Sequence, residues 1–392
     1  MSENTSPQAD VRLGKYAAMF GGIGVIFTII TIILGLSAPE TTLHSALFAV
    51  IVFLTLTLGC FGMAILQHIV QAKWGLSLLR LFEAGGGWKN LLLMMVLFIP
   101  IFIGAKYLYP WARAEQVHAD PILQNRSSYF SWFYLRFVGY FLLWGWYAYR
   151  MRRSVQLQEA SGKFREQQWR ANWASPGLVF LILTVTLAYT DWVMSIDPHW
   201  YSTMYGLWFV CSMGLGGMAM AVLIVCLNAK KAPYNRIINP DLTRDYGNML
   251  LTLTMLWAYT NFSQYLIIWS GNLPVTTTYL INRSLGHWNY LGFVIVLGQF
   301  FIPFFALLSP SVKATPSKLA WVAGFILLIR FVDQFSVIEP FYRPYMTATW
   351  TDLFALLGVG GLWGLVFSIN VNRHPLLVSY DPRVLEVPEH AH

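Results

Sequence analysis

Two short acidic stretches interrupt an otherwise apolar chain, and they hold the residues best suited to proton chemistry. DWVMSIDP begins at Asp191 and DQFSVIEP begins at Asp333; in each, a second acid (Asp197 or Glu339) follows six residues later and precedes a proline. A charge at the centre of a bilayer costs about 2.5–3.5 kcal/mol on insertion scales, so intramembrane acids usually face the protein interior and mark ion or proton paths. The first acid of each stretch is therefore a candidate for proton transfer.

Other ionisable residues fall within or beside apolar runs. Arg136 is expected to reach Asp191 from a neighbouring helix, whereas Arg330 and Asp333 are three residues apart and share one helix face. Either pair could lock helices together or relay protons. The candidates for a proton path are His68, Lys106, Arg136, Asp191, Arg330 and Asp333.

A second set of polar residues is expected at the external mouth of the protein. The proline after each acidic stretch ends its helix, so the acid just before it is predicted to be solvated. The predicted mouth residues are Asp197, His199, Glu339 and Asp352.

Metal and haem sites are disfavoured, and no catalytic residue is assigned. The three cysteines lie inside apolar runs and form no CxxC or Cys/His cluster. Bis-histidine haem ligation needs two histidines at one depth, but His68 is placed near the cytoplasmic end, and His44, His199 and His287 at the external loops. No metal-bound or covalent cofactor is predicted; a quinone or quinol remains open.

Composition indicates a polytopic membrane protein. The 392-residue chain is 56% hydrophobic and 11% charged, whereas soluble domains are about 25% charged. Because a span needs roughly 20 apolar residues, and the runs lack the alternation of barrel strands, we predict an all-α protein with ten transmembrane helices. They cover 14–36, 44–71, 88–109, 128–150, 174–195, 201–228, 246–270, 285–309, 318–338 and 348–371.

The distribution of basic residues predicts the orientation. With ten spans, loops on the side of the termini hold 19 of the 26 Lys and Arg residues, and the opposite loops hold five. The positive-inside rule then places both termini in the cytoplasm. This bias accounts for the net charge of +8 without a nucleic-acid partner, although the 150–170 loop could contact anionic lipid. No cleavable signal is visible.

The chain also predicts an internal repeat. GCFGMA (59–64) matches GLGGMA (214–219), YLRFV (134–138) matches YLGFV (290–294), and the two acidic stretches match each other in the same order. Four crossings separate the copies, so the repeats run parallel rather than inverted. Their arginines do not match: Arg136 aligns with Gly292, and Arg330 aligns with Ala188.

This repeat gives the predicted domain organisation. Spans 2–5 and 6–9 form two parallel four-helix bundles, and spans 1 and 10 are peripheral. GGIG (21–24) and GVGGLWG (358–364) lie in those peripheral spans, where glycine favours close helix packing over phosphate binding. The boundaries are 1–13 (cytoplasmic segment), 14–43 (span 1), 44–195 (first bundle), 196–338 (second bundle), 339–372 (span 10) and 373–392 (cytoplasmic tail).

The sequence resembles the polysulfide-reductase (NrfD-like) membrane-subunit family over roughly residues 10–372. AYTDWVMSIDPHWYSTMYG (188–206) and LLTLTMLWAYTNFSQYLIIWSGNLP (250–274) look most like the smaller such subunit of bacterial alternative complex III, a quinol:electron-acceptor oxidoreductase. The resemblance implies four kinds of partner: a larger sister subunit of the same fold, an iron–sulfur protein, multihaem cytochrome c subunits and small membrane anchors.

The resemblance also frames the expected function. In the family, quinol oxidation uses a His and an Asp at the external end of the sister subunit's first bundle. Asp191 lies at a comparable place here, but no histidine is expected in the external half of spans 2–5. We therefore expect a cofactor-free subunit of the bacterial inner membrane that supports assembly and carries a proton path. The alternatives are a quinol-oxidising subunit in its own right and a stand-alone ion-coupled transporter.

Overall fold

The computed structural model describes residues 11–378, and within them the chain is 85% helical and contains no strand. The predicted all-α class is therefore confirmed. Residues 1–10 of the predicted N-terminal segment and residues 379–392 of the predicted tail lie outside the described part.

Twelve helices carry the architecture, with short helical turns between them. In chain order they are α1 (Ala17–Ser37), α2 (Pro39–Val70), α3 (Lys73–Gly85), α4 (Trp88–Ile103), α5 (Phe133–Ser161), α6 (Arg165–Trp192), α7 (Tyr205–Leu227), α8 (Pro240–Gly271), α9 (Pro274–Ser284), α10 (Trp288–Leu308), α11 (Pro316–Ile338) and α12 (Trp350–Asn372).

Within residues 11–378, eight segments are long and apolar enough to cross a membrane. They contain α1, α2, α3 with α4, α6, α7, α10, α11 and α12. The predicted spans 4 and 7 correspond to α5 and α8, which are not among the eight. Both are long, at 29 and 32 residues, but charged and polar side chains dilute their apolar content.

Two helices occupy segments that were predicted as loops. α3 fills the predicted connection between spans 2 and 3, and α9 lies between spans 7 and 8. In α3 the apolar residues recur at helical spacing, and the helix is almost entirely buried against α2, α7 and α12. Its Lys, Arg and Glu residues broke the apolar run, which is why hydropathy alone missed it.

Glycines allow the central helices to approach closely. α2 packs on α7, and a Cβ placed on Gly217 would lie 2.7 Å from the backbone carbonyl carbon of Gly59. α1 packs on α12 in the same way, since a Cβ on Gly24 would lie 2.7 Å from the carbonyl carbon of Gly361. The expectation that the glycine motifs of the peripheral spans serve helix packing is confirmed.

α10 contains a π-helical segment, Val296–Phe301, that the sequence did not predict. Pro303 follows it, and a proline has no N–H to donate to the carbonyl four residues earlier. The wider turn packs against α8 and α11 and includes Gln299, whose side chain is fully buried. Such π-bulges occur frequently at functional sites.

Candidate functional site

Asp191 lies in the last turn of α6 and is held by α5. Arg136 Nε donates to its Oδ2 and Nη2 donates to its Oδ1, both at 2.8 Å, which is a bidentate ion pair. The predicted contact between Arg136 and Asp191 is therefore confirmed. Asp191 is 1% exposed, whereas the Arg136 side chain is 21% exposed.

Two tyrosines complete this site, and sequence reasoning missed both. The Tyr129 hydroxyl donates to Asp191 Oδ1 (2.6 Å), and the Tyr140 hydroxyl donates to Oδ2 (3.1 Å). Tyr140 is one helical turn after Arg136 on the same face, a spacing that could have revealed it. A carboxylate offers about four lone-pair directions, and four donors occupy them here.

The Arg136 guanidinium also has a full set of hydrogen-bond partners. Its Nη1 donates to the Tyr129 carbonyl oxygen at 2.7 Å, and its guanidinium carbon lies 3.9 Å from the centroid of the Tyr129 ring. Every guanidinium nitrogen therefore has a protein partner, and the cation also stacks on an aromatic face.

Arg330 and Asp333 form the second predicted pair, in the last turns of α11. Arg330 Nη1 lies 2.7 Å from Asp333 Oδ2, and both side chains are almost wholly buried. The guanidinium carbon also lies 5.8 Å from the ring centroid of Trp257 on α8. The pair is confirmed, but neither Nη atom of Arg330 nor Oδ2 of Asp333 has a hydrogen bond of good geometry.

The helices around this pair bury further polar atoms that have no protein partner among the described residues. α7, α8, α10 and α11 pack against one another in this part of the chain. Within residues 11–378, their buried atoms lacking a partner include the Ser212 and Thr254 hydroxyls and both amide atoms of Gln299 and Gln334. Buried polar groups are normally hydrogen-bonded, and internal water commonly supplies the partner.

The buried face of α8 is unusually polar. It carries Thr243, Tyr246, Thr254, Trp257, Thr260 and Gln264, interrupted by Leu250. At 1.5 Å per residue, the distance from the first to the last of these is about 30 Å, close to the thickness of a hydrocarbon core. Tyr246 extends the row towards α3, because its hydroxyl lies 2.5 Å from that of Ser77. Sequence reasoning missed this face because none of its residues is charged at neutral pH.

Glu339 is not solvated, contrary to the sequence-based prediction, and Asp352, which was only expected near the external mouth, is also buried. Glu339 is 0% exposed and pairs with His44 (3.0 Å) and Arg343 (3.1 Å). Asp352 is buried, accepts two hydrogen bonds from Arg343 at 2.7 Å and accepts another from Ser45 at 2.6 Å. The proline does end the helix, but α2, the turn after α11 and α12 converge over the acids.

His44 also differs from its prediction. The sequence predicts it at an external loop, but α2 begins at Pro39, and His44 is a buried residue near its start, stacked on Tyr342. His44, Glu339 and Asp352 lie close enough for metal ligation. The Arg343 guanidinium contacts both carboxylates, however, so the positive charge that a metal would bring is already present.

His68 lies at the opposite end of α2, beside a network that the sequence did not predict. Arg80 on α3 pairs with Glu83 (2.8 Å) and with Glu159 on α5, and Arg152 on α5 also pairs with Glu83. His68, Glu83 and Arg152 line one small cleft. Arg80 and Glu83 belong to α3, where hydropathy predicts a loop, so the sequence gives no signal for their burial.

The remaining predicted residues lie near the surface. Lys106 is exposed, and its ammonium lies 5.0 Å from the Tyr107 ring centroid. Asp197 is half-buried and accepts from the His199 amide at 3.1 Å. His199 is exposed, and its Nε2 lies 2.8 Å from Asp120 Oδ2.

Comparison with known proteins does not identify the chain. No family model matches it, and no curated protein matches it. The resemblance to the NrfD-like subunits therefore remains a prediction that depends on the quoted stretches.

Proposed function

We propose that this chain is a ten-span, NrfD-like membrane subunit of a bacterial quinol:electron-acceptor oxidoreductase complex resembling alternative complex III. α5 and α8 supply the two spans beyond the eight apolar segments. Both are long enough to cross, and both expose large apolar side chains along one side, such as Leu142 and Phe262. The loop charges favour cytoplasmic termini.

Helix packing supports the proposed pair of bundles. α2 packs on α4 and α6, and α5 packs on α4 and α6; correspondingly, α7 packs on α8 and α11, and α8 packs on α10. The contacts between the halves are reciprocal, since α2 touches α11 and α7 touches α6. This arrangement is the one expected if a parallel duplication produced both halves, with α1 and α12 outside the repeat.

We place the proton path in the second half, around Arg330 and Asp333. The observation that carries this proposal is the set of buried polar atoms without protein partners on α7, α8, α10 and α11. Water linking those atoms would form a chain of hydrogen bonds beside an ionisable pair, and the polar face of α8 would extend it across the protein. The chain itself supplies no metal or covalent cofactor in this proposal, and electrons pass through its partners.

The alternative of a quinol-oxidising site in this chain gains no support from the contacts at Asp191. A quinol hydroxyl needs a free acceptor, and both carboxylate oxygens are already occupied by Arg136 and the two tyrosines. A bound quinone head group in hydrogen-bond contact with Asp191 or Arg136 would favour this alternative.

The first experiment identifies the partners. The chain is isolated from its native membrane in mild detergent, and the proteins that accompany it are identified by mass spectrometry. We expect the sister subunit, the iron–sulfur protein, multihaem cytochromes and small anchors. If the chain is isolated alone and transports an ion by itself, the transporter alternative replaces this proposal.

The second experiment tests the path with two matched variants. Asp333→Asn and Asp191→Asn are isosteric changes at corresponding positions of the repeat. In reconstituted complex, we expect Asp333→Asn to lower the number of protons moved per electron while quinol oxidation continues. Asp191→Asn should leave that ratio unchanged. An unchanged ratio with Asp333→Asn in a fully assembled complex would remove Asp333 from the path.

A further inference from the structure

A basic cleft lies where α3, α4, α5 and α12 meet, next to the Arg80–Glu83–Arg152 network. Its volume is about 130 Å³, and it opens to the surface. The charged side chains that line it are Arg80, Glu83, Lys89, Arg152 and Arg373. Four cations therefore face one carboxylate.

Within residues 11–378, the Glu83 carboxylate is already paired, and two of the four cations have no counter-charge. Glu83 is paired with Arg80 and Arg152. Lys89 and Arg373, on the other hand, form no ion pair within residues 11–378. Charged side chains in a partly enclosed, low-dielectric cleft raise the local concentration of ions of the opposite sign.

The backbone adds to this positive potential. Gly87, Trp88 and Lys89 line the cleft at the start of α4, a 16-residue helix whose N-terminus has no side-chain cap. The first N–H groups of a helix have no partner within it, and the helix dipole is positive at this end. Together these features are typical of sites for phosphate and related anions.

His374 lies in the same positive potential. It lines the cleft just beyond α12. Its pKa is lowered from the usual 6.5 to about 4, first by burial and then by the positive charges of Arg152 and Arg80. A histidine in this environment stays neutral at physiological pH, whereas a bound anion would favour its protonation.

We propose that this cleft binds a phosphate-type anion, held by Lys89, Arg373 and the N-terminus of α4. The same chemistry is offered by the headgroup of an acidic phospholipid and by a soluble phosphate. Trp88, which lines the cleft, lies beside Tyr149, and both side chains are exposed. Such aromatic pairs are common where a protein meets the membrane–water boundary.

The test uses the purified full chain with two probes. Native mass spectrometry counts bound phosphatidylglycerol against phosphatidylcholine, and calorimetry measures the binding of inorganic phosphate. The test variant is Lys89→Gln/Arg373→Gln. The control is Arg153→Gln/Lys163→Gln, which removes the same charge from exposed positions in the same region outside the cleft.

We expect the test variant to bind at least about tenfold more weakly than the wild type, because two charge-assisted contacts are lost. The control should bind like the wild type. Preference for phosphatidylglycerol alone would identify a lipid headgroup as the ligand, and binding of inorganic phosphate would identify a soluble anion. Equal binding by the test and control variants would overturn the proposal.

Two further experiments test the site, one through the titration of His374 and one through deletion of the C-terminal tail. In NMR titration of labelled histidines, assigned with a His374→Gln variant, the anion should raise the His374 midpoint in the wild type and not in the test variant. An unchanged midpoint under saturating probe would contradict the proposal. Binding that appears only after deletion of 379–392, which contains Asp381, Glu386 and Glu389, would assign the cleft to the chain's own acidic tail instead.

Discussion

Asp191 and Asp333 occupy corresponding places in the two acidic stretches, yet their charges are compensated in different ways. Asp191 is bound by an arginine from a neighbouring helix and by two tyrosine hydroxyls. Asp333 is paired with an arginine one turn away on its own helix, and several polar atoms in the surrounding helices have no protein partner. The two acidic stretches therefore share the acid but differ in the position of its arginine.

The difference separates two uses of a buried ion pair. A pair that joins α5 to α6 with every lone pair occupied fixes the relative position of those helices. The Arg330–Asp333 ion pair lies within one helix, α11, and internal water can supply the hydrogen bonds that its atoms lack. We therefore expect the first site to contribute chiefly to stability and the second to proton movement.

The largest expected effect is a difference in stability loss between substitutions of Arg330 and of Arg136. Arg330→Leu should lower the free energy of unfolding by about 3–5 kcal/mol, because it leaves the Asp333 carboxylate buried and uncompensated. Arg136→Leu should cost less, since Asp191 keeps two hydroxyl donors and Arg136 is partly exposed. Denaturant unfolding in detergent measures both. Equal losses would contradict the difference in compensation.

Removing both charges of each pair should reverse the order of the two stability losses. Arg136→Leu/Asp191→Leu should destabilise the protein by about 2 kcal/mol, because Tyr129 and Tyr140 lose their acceptor. Arg330→Leu/Asp333→Leu should be neutral or stabilising, as buried pairs replaced by apolar residues often are. The same unfolding measurement decides, and a large loss for the second double variant would show that its pair is well satisfied after all.

A smaller effect tests the tyrosine contribution. Tyr140→Phe removes one hydrogen bond to Asp191 and should cost about 1 kcal/mol. Tyr290→Phe, at an exposed tyrosine, serves as the control and should change stability by less than about 0.5 kcal/mol. If both variants unfold alike, the Tyr140 hydroxyl does not stabilise the Asp191 site.

The smallest effect tests hydration in the second half. Gln299→Leu should cost about 0.5–1 kcal/mol if its buried amide is linked through water to neighbouring polar atoms. A gain in stability would indicate a dry amide and would weaken the proposed path. Gln334→Leu provides a second position, on α11, for the same measurement.

The candidate site was predictable where it depends on spacing along one helix. Arg330 and Asp333 are three residues apart and share a helix face, which predicts their contact. Asp191 lies at the end of an apolar run, which predicts its place near the end of a helix. Glu339 shows where this reasoning fails: its sequence context predicted a solvated helix end, but α2 and α12 converge over it. It pairs with His44 of α2 and with Arg343 of the segment between α11 and α12. Coverage of a helix end by distant segments leaves no local signal.

The sequence by itself determined the all-helical class and most of the apolar helices, because a hydrocarbon layer requires long, locally hydrogen-bonded segments whose composition can be read directly. Only the tertiary structure decided which buried charges meet, which polar atoms lack partners and that α3 lies inside the protein. These outcomes depend on how each helix is rotated and packed against its neighbours, and contacts such as Tyr129 with Asp191 join residues far apart in the chain.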